Sequence, residues 1–321
     1  MRNTAHKLAY GLGFGLWWLV SLLPLRVLYV FSDVVYLLVG RVVRYRHKVI
    51  WNNLTSAFPE KSHQELLRIE RKFYQGFCDY IFETLKMMTM SEREMRRRME
   101  FRGVEAMQEQ FAKGRSGCIF LGHMFNWEWI TSLPYWIPDN VKCCQLYHPI
   151  ENAAIDRLFK VARERRNATC VPMQESLRKI LQFKRERHQV LAGYIADQVP
   201  LWRNIHHWVD FLCHDTPVFT GSERIARHTD QVCWYGDVRR VSRGHYVVDF
   251  KLITEHPGKE PEFAITDRYF QLLEENIRRQ PELWLWSHNR WKRTREEFNR
   301  LFEVVNGKVT KREELKDVHE I

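Results

Sequence analysis

Between residues 114 and 279 the chain alternates short apolar runs, rich in β-branched and aromatic residues, with longer segments of helical periodicity. That alternation restricts the fold more than any other feature. Strands of this length separated by helices cannot close as hairpins, so they lie mostly parallel and are joined by crossovers. Strands are expected at residues 118–121, 142–146, 190–195, 231–235 and 246–252, and helices at 127–135, 153–165, 176–185, 221–228 and 265–279. The resulting fold class is α/β, with a mostly parallel central sheet flanked by helices. Upstream, Ser62 and Glu65 form a capping box that starts a long helix towards Met88. Leu66, Ile69, Phe73, Phe77, Ile81 and Leu85 recur on one face of it as core positions. The charge-dense stretch 91–100 reads as a solvated face, and a helix follows at 104–113. No repeat or low-complexity linker divides the chain, so residues 51–321 are expected to form one domain behind an N-terminal part, residues 1–50, of different texture.

That N-terminal part looks built for a bilayer. Residues 8–25 carry no charge and approach the roughly 20 residues that cross a hydrocarbon core. No small-x-small cleavage site follows, so a retained anchor is expected rather than a signal peptide. Residues 27–43 carry Asp33 and end in Arg41, Arg44, Arg46 and Lys48, the pattern of a helix lying in the interface. Arg2 and Lys7 precede the anchor and the larger basic cluster follows it, which places the main domain on the cytoplasmic side. Gly11 and Gly15 have helix-pairing spacing, but glycine is common in such segments and a monomer is expected. A formal net charge of +11 asks for an anionic partner: nucleic acid, an anionic bilayer or a phosphorylated substrate. Twelve tryptophans suit a membrane interface as well as a core. Seven cysteines without a Cys-x-x-Cys pair fit a reducing compartment and buried packing roles.

Chemistry is concentrated just after the first expected strand, in Gly122-His123-Met124-Phe125-Asn126-Trp127-Glu128-Trp129. His123 falls at the carboxyl end of a strand, where open α/β sheets bind ligands. Asn126 as a helix cap would place Glu128 in the first helical turn. A carboxylate so near could fix one imidazole tautomer and leave the other nitrogen to take a proton from a hydroxyl, a triad without its nucleophile. The plain alternative is a capped helix start beside a histidine. No Gly-x-Ser-x-Gly elbow, phosphate-binding loop, strand-bound dinucleotide fingerprint or His-Glu-x-x-His zinc motif is present. His206 and His207 do not by themselves complete a metal site. Direct transfer to a substrate hydroxyl remains.

Three separated blocks give the chain a resemblance to the lipid A late acyltransferase family, the lauroyl and myristoyl transferases within the wider lysophospholipid acyltransferases. Gly122-His123 through Glu128 resembles the family's His-x-x-x-x-Asp/Glu block, and Ala196-Asp197-Gln198 resembles its Asp-Gln block. The run from Pro281 through Trp284, His288 and Arg290 to Lys292 resembles its terminal signature. The resemblance implies a glycerol-3-phosphate-acyltransferase-like fold at the cytoplasmic face of a bacterial inner membrane. It also implies transfer of an acyl chain from acyl carrier protein to a hydroxyl of a phosphorylated glycolipid acceptor. No cofactor, no metal and no nucleic acid are expected. By the same resemblance His123 is the base and Glu128 its orienting carboxylate, with no acyl-enzyme. Arg163 or Arg166 contacts a substrate phosphate or carbonyl, or else forms a solvated helix face. Asp197 holds an arginine or closes the site, or is a turn carboxylate. Arg290, Lys292 and His288 bind headgroup phosphates, or finish a packed carboxyl-terminal element. Phe211 to His214 departs from the family pattern where a pocket wall is expected. A lysophospholipid, aminoacyl lipid or glycosylated phospholipid acceptor stays open, as does a non-catalytic basic membrane-binding protein.

Overall fold

The computed structural model describes residues 2–164, 168–305 and 307–312, with side chains from Tyr10 onward. Six helices come before the first strand of the α/β alternation: α1 (Arg2–Leu22), α2 (Leu25–Tyr36), α3 (His47–Ala57), α4 (His63–Lys86), α5 (Glu92–Arg98) and α6 (Val104–Ala112). The strand β1 (Met99–Arg102) lies between α5 and α6. The alternation then runs β2 (Gly117–Leu121), α7 (Trp127–Ile130), β3 (Val141–Tyr147), α8 (Ala153–Arg163), β4 (Ala168–Pro172), α9 (Ser176–Arg185) and β5 (Gln189–Ile195). A hairpin, β6 (His207–Phe211) and β7 (His214–Val218), leads through α10 (Gly221–Thr229) to β8 (Val232–Ser242), β9 (His245–Thr254) and α11 (Ala264–Arg279). The described residues close with α12 (Arg295–Leu301), β10 (Phe302–Val305) and β11 (Lys308–Lys311).

Seven strands form one sheet in the order β1-β9-β8-β2-β5-β3-β4, and every neighbouring pair is parallel except β8 with β9. The α/β expectation with a mostly parallel sheet therefore holds. Two strands of the sheet go beyond that expectation. β1 alternates buried and exposed residues within a charge-rich stretch, and β4 is a short edge strand. Helix α7 is also far shorter than expected, because Pro134 follows within a separate tight turn. All five residues of β2 are buried, as a central strand covered on both faces must be. From β2 the chain leads one way to β3, whereas from β5 it returns past β2 to β8. Connections that diverge from adjacent parallel strands leave a crevice at their carboxyl ends.

The N-terminal helices join the body's core, since one buried cluster includes Trp17, Leu25 and Leu28 together with Phe73, Phe125 and Trp286. Trp17 donates its indole N–H to the Leu85 carbonyl at 2.8 Å. The last carbonyls of α1 are capped from α4's end: buried Lys86 donates to Ser21 and Leu23, and Thr89 donates to Ser21. Pro24 cannot continue α1, and the chain turns by 111° into α2 and its π-helical extension Leu37–Val42. Among the described residues no single helix is long and apolar enough to cross a membrane, although this bent pair is, by length and composition. The outer faces stay uncovered: Leu12, Leu16, Leu19, Val30, Phe31, Leu37, Val42 and Val43 are all exposed. An apolar patch of that extent marks an interaction surface.

A buried carboxylate links these helices to the sheet. Glu83 of α4, with no exposed surface, accepts hydrogen bonds from Tyr29 of α2, Tyr246 of β9 and the Asn126 side chain, each at 2.8 Å. Its backbone carbonyl also accepts from the Trp129 indole at 3.0 Å.

Candidate active site

The register of the two central strands builds the site. Leu121 of β2 pairs with Ile195 of β5, and two residues beyond each pair member stand His123 and Asp197. The His123 Nδ1 lies 2.5 Å from Asp197 Oδ1, and the His123 backbone N–H donates to Oδ2 at 2.8 Å. Trp284 adds an indole N–H to the same Oδ2 at 2.7 Å. Asp197 is 2% exposed. Burial opposes its ionisation, but the neighbouring His123 charge and the three hydrogen bonds outweigh that and hold its carboxyl down at about 2. An ionised Asp197 accepts from Nδ1–H, so in the neutral imidazole the lone pair falls on Nε2, with the Gln198 side-chain amide 3.4 Å away. Gly122 makes the close approach possible: a Cβ there would lie 2.5 Å from buried Leu273 and 3.5 Å from Asp197 Oδ2.

Asn126 caps α7 as expected, its side-chain oxygen accepting from the backbone N–H groups of Glu128 and Trp129 at 3.0 and 3.2 Å. Glu128, however, does not orient His123. Its carboxylate is gripped from α8 by Arg163, with Nε at 2.7 Å from Oε2 and Nη2 at 2.5 Å from Oε1. This two-point geometry is the strong form of an arginine–carboxylate pair. Burial works against the Arg163 charge, and Glu128 more than restores it, so the guanidinium stays protonated. The carboxylate partner of His123 is therefore Asp197, taken from the second sequence block rather than the first. Asp197 holds a histidine, not an arginine.

His123, Glu128 and Arg163 share a cavity of about 710 Å³, with Gln198, Tyr147 and Met173 also on its wall. It contains no serine or cysteine among the described residues, and Thr131 spends its hydroxyl on the Glu128 carbonyl at 2.6 Å. Beside it a smaller apolar cavity of about 90 Å³ penetrates between α7 and the sheet, bounded by Ile119, Ile130, Leu133, Cys143, Leu191 and Gly193. The two share Trp127, Thr131, Gln145, Leu146 and Ile195 as walls.

The carboxyl-terminal block supports the site from behind. Phe125 donates its backbone N–H to the Leu283 carbonyl at 2.9 Å, and Leu285 donates to the His123 carbonyl at 3.1 Å. Asn53 fastens the same block by donating to the carbonyls of Trp286 and His288, each at 2.8 Å. Arg290 is fully buried, donates to the Pro217 carbonyl at 2.8 Å, and lines no part of the cavity. Burial pushes its guanidinium down to about 10, with the Asp197 charge acting the other way. The expectation of a phosphate contact at Arg290 gives way to the packed-element alternative. Lys292 is exposed but is likewise absent from the cavity wall. The His288 ring accepts from the Val199 backbone N–H at 3.2 Å, and burial holds it down at about 4. Arg166 lies outside the described residues. Leu212 and Cys213 form the turn between β6 and β7 and do not reach the cavity. Trp284 as a donor to Asp197 is a role the sequence does not announce, though an indole N–H in a block following an Asp-Gln motif is a natural partner for a buried carboxylate.

The Asp197 carboxyl lies below its ordinary 3.8, so its contribution to stability is complete above about pH 4 and fades as pH falls towards 2. About 2 kcal/mol is at stake. In urea unfolding, the stability difference between the parent and an Asp197→Asn variant should shrink by that amount between pH 5 and pH 2.

A family profile described as bacterial lipid A biosynthesis acyltransferase matches residues 2–293. The lipid A biosynthesis lauroyltransferase of Escherichia coli (strain K12) is 25% identical over 285 residues, which span 88% of this chain and 90% of that protein. With a sheet whose carboxyl edge carries the histidine block and a match over nearly the whole length, the chain belongs to the bacterial lipid A biosynthesis acyltransferases.

Proposed function

We propose that this acyltransferase moves a fatty acyl chain from an acyl thioester, carried on acyl carrier protein, to a hydroxyl of a phosphorylated lipid A precursor. The observation that carries the reading is the His123–Asp197 pair beside a large cavity whose wall holds no serine or cysteine among the described residues. In this scheme the acceptor hydroxyl gives its proton to His123 Nε2 while its oxygen attacks the thioester carbonyl. The carbonyl oxygen becomes an oxyanion, the carbon–sulfur bond then breaks, and the departing thiolate takes the proton back from the imidazolium. Asp197 stabilises the imidazolium. Arg163, locked by Glu128, places a fixed positive charge on the cavity wall for the oxyanion or an acceptor phosphate. No acyl-enzyme forms.

The apolar cavity beside the dyad suits the acyl chain. A Cβ added at Gly193, on its wall, would meet only the Cys144 carbonyl, at 3.8 Å, an ordinary contact, so a side chain can begin there and fill the cavity. Gly193→Val should shift the transferred chain towards shorter lengths by about two carbons, read as a mass change of the product lipid. The exposed apolar faces of α1 and α2 would seat the enzyme in the bacterial inner membrane, with the sheet domain on the cytoplasmic face and the protein acting as a monomer.

Mass spectrometry of lipid A from a strain lacking the gene, before and after restoring it, tests the proposal. One acyl chain should vanish and return. Unchanged lipid A alongside an altered lysophospholipid or aminoacyl lipid would refute the acceptor, and no lipid change at all would favour a membrane-binding protein without catalysis.

A further inference from the structure

A second concave site lies away from the His123 cavity, where the π-helical turn packs on α4. It encloses about 150 Å³ between the π-helical turn and α4, lined by Tyr36, Arg41, Arg44, Glu70, Arg71 and Tyr74, together with Gly40 and Leu67. That is well above the roughly 10–15 Å³ that holds one water. It shares no wall residue with the catalytic cavity. Three arginines, from the π-helical turn, the linker after it and α4, line it against one carboxylate. That carboxylate, Glu70, is occupied by His47 Nδ1 at 2.5 Å. Arg41 uses only its Nε, towards the Tyr36 hydroxyl at 3.3 Å, and Arg44 reaches the His47 ring through Nη2. Among the described residues no hydrogen bond or ion pair engages the Arg71 side chain, which stands exposed on α4. Gly40 lets the π-helical turn settle onto α4, since a Cβ there would already lie 3.1 Å from both the Tyr36 ring and Tyr74 Cβ.

The setting identifies the anion. Leu37, Leu38, Val42 and Val43 stand on the same turn as Arg41 and are 54%, 53%, 74% and 69% exposed. Apolar side chains at that exposure beside a guanidinium cluster match a ligand that is hydrocarbon on one side and phosphate on the other. We propose that Arg41, Arg44 and Arg71 bind the headgroup phosphate of an anionic phospholipid, as a lipid site distinct from the acceptor and donor sites. A free phosphate would satisfy the arginines but leave the apolar turn uncovered.

The test uses the full-length protein and flotation with vesicles of phosphatidylcholine alone or with one third phosphatidylglycerol. The preference for anionic vesicles should fall at least tenfold in the triple variant Arg41→Gln, Arg44→Gln, Arg71→Gln. A control removing the same charge from exposed positions, Arg178→Gln, Arg185→Gln, Arg300→Gln, should lose less than threefold. Equal losses in the two variants would overturn the site in favour of diffuse charge. Competition by inorganic phosphate at constant ionic strength separates the sources: millimolar phosphate that abolishes the preference would overturn the headgroup assignment, and no competition supports it. Thermal unfolding of the triple variant confirms folding, and should it fail, Arg71→Gln alone is expected to lose about threefold or more. Because the readout is binding, it is independent of whether His123 is the catalytic base.

Discussion

Replacing Asp197 with Asn should lower kcat/KM for acyl transfer by about 10³–10⁴-fold while leaving vesicle binding and the folded state intact. The size of the effect follows from the tautomer. Asp197 accepts from both the ring and the backbone of His123, which fixes the proton on Nδ1 and exposes the Nε2 lone pair. An asparagine can meet the same partners by presenting its amide to Nδ1, and the imidazole then carries its proton on Nε2, where a base is needed. His123→Ala should be at least as damaging. Glu128→Gln provides the contrast, because Glu128 touches Arg163 and not His123. Its pH–rate profile should keep the acid limb of the parent, whereas Asp197→Asn should not. Full transfer by a folded His123→Ala protein would end the proposed mechanism.

Arg163→Met should be among the most destabilising single changes, costing about 3–5 kcal/mol. Glu128 is 2% exposed and its carboxylate is held by two charge-assisted hydrogen bonds from that one arginine, with the Tyr80 hydroxyl a distant third contact at 3.4 Å. Removing the cation leaves a buried anion unpaired. Arg163→Met combined with Glu128→Leu removes both charges and should recover most of the loss in urea unfolding. A double variant as unstable as the single one would show that the damage lies in packing against Phe159, over which the guanidinium sits at 4.9 Å.

The difference between these two ion pairs shows what could be read from sequence. The ends of β2 and β5 were legible because apolar runs stop abruptly at Gly122 and Ala196. Their adjacency was not. β3 and β4 intervene in the chain between two strands that are neighbours in the sheet, and no local pattern reports a parallel register. Five residues of separation therefore pointed His123 to Glu128, when the sheet brings Asp197 from 74 residues away. Arg290 was misleading for a different reason: arginine is seldom fully buried, so a tryptophan-rich segment carrying it resembles an interface rather than a core. Residues 8–25 and 27–43 were legible as two successive apolar segments, but the 111° turn between them at Pro24 was not, and neither helix alone is long and apolar enough to cross a membrane.

Glu83 makes those N-terminal helices more than a tether. The residue that receives Tyr29 from α2 also receives Asn126, whose other side-chain atom starts the helix bearing Glu128. An exchangeable membrane tag could be swapped for any other apolar segment without disturbing the rest of the protein. Here the swap would delete one of three donors to a buried carboxylate that also holds Asn126, so the N-terminal helices and the His123–Glu128 loop form a single inheritable unit.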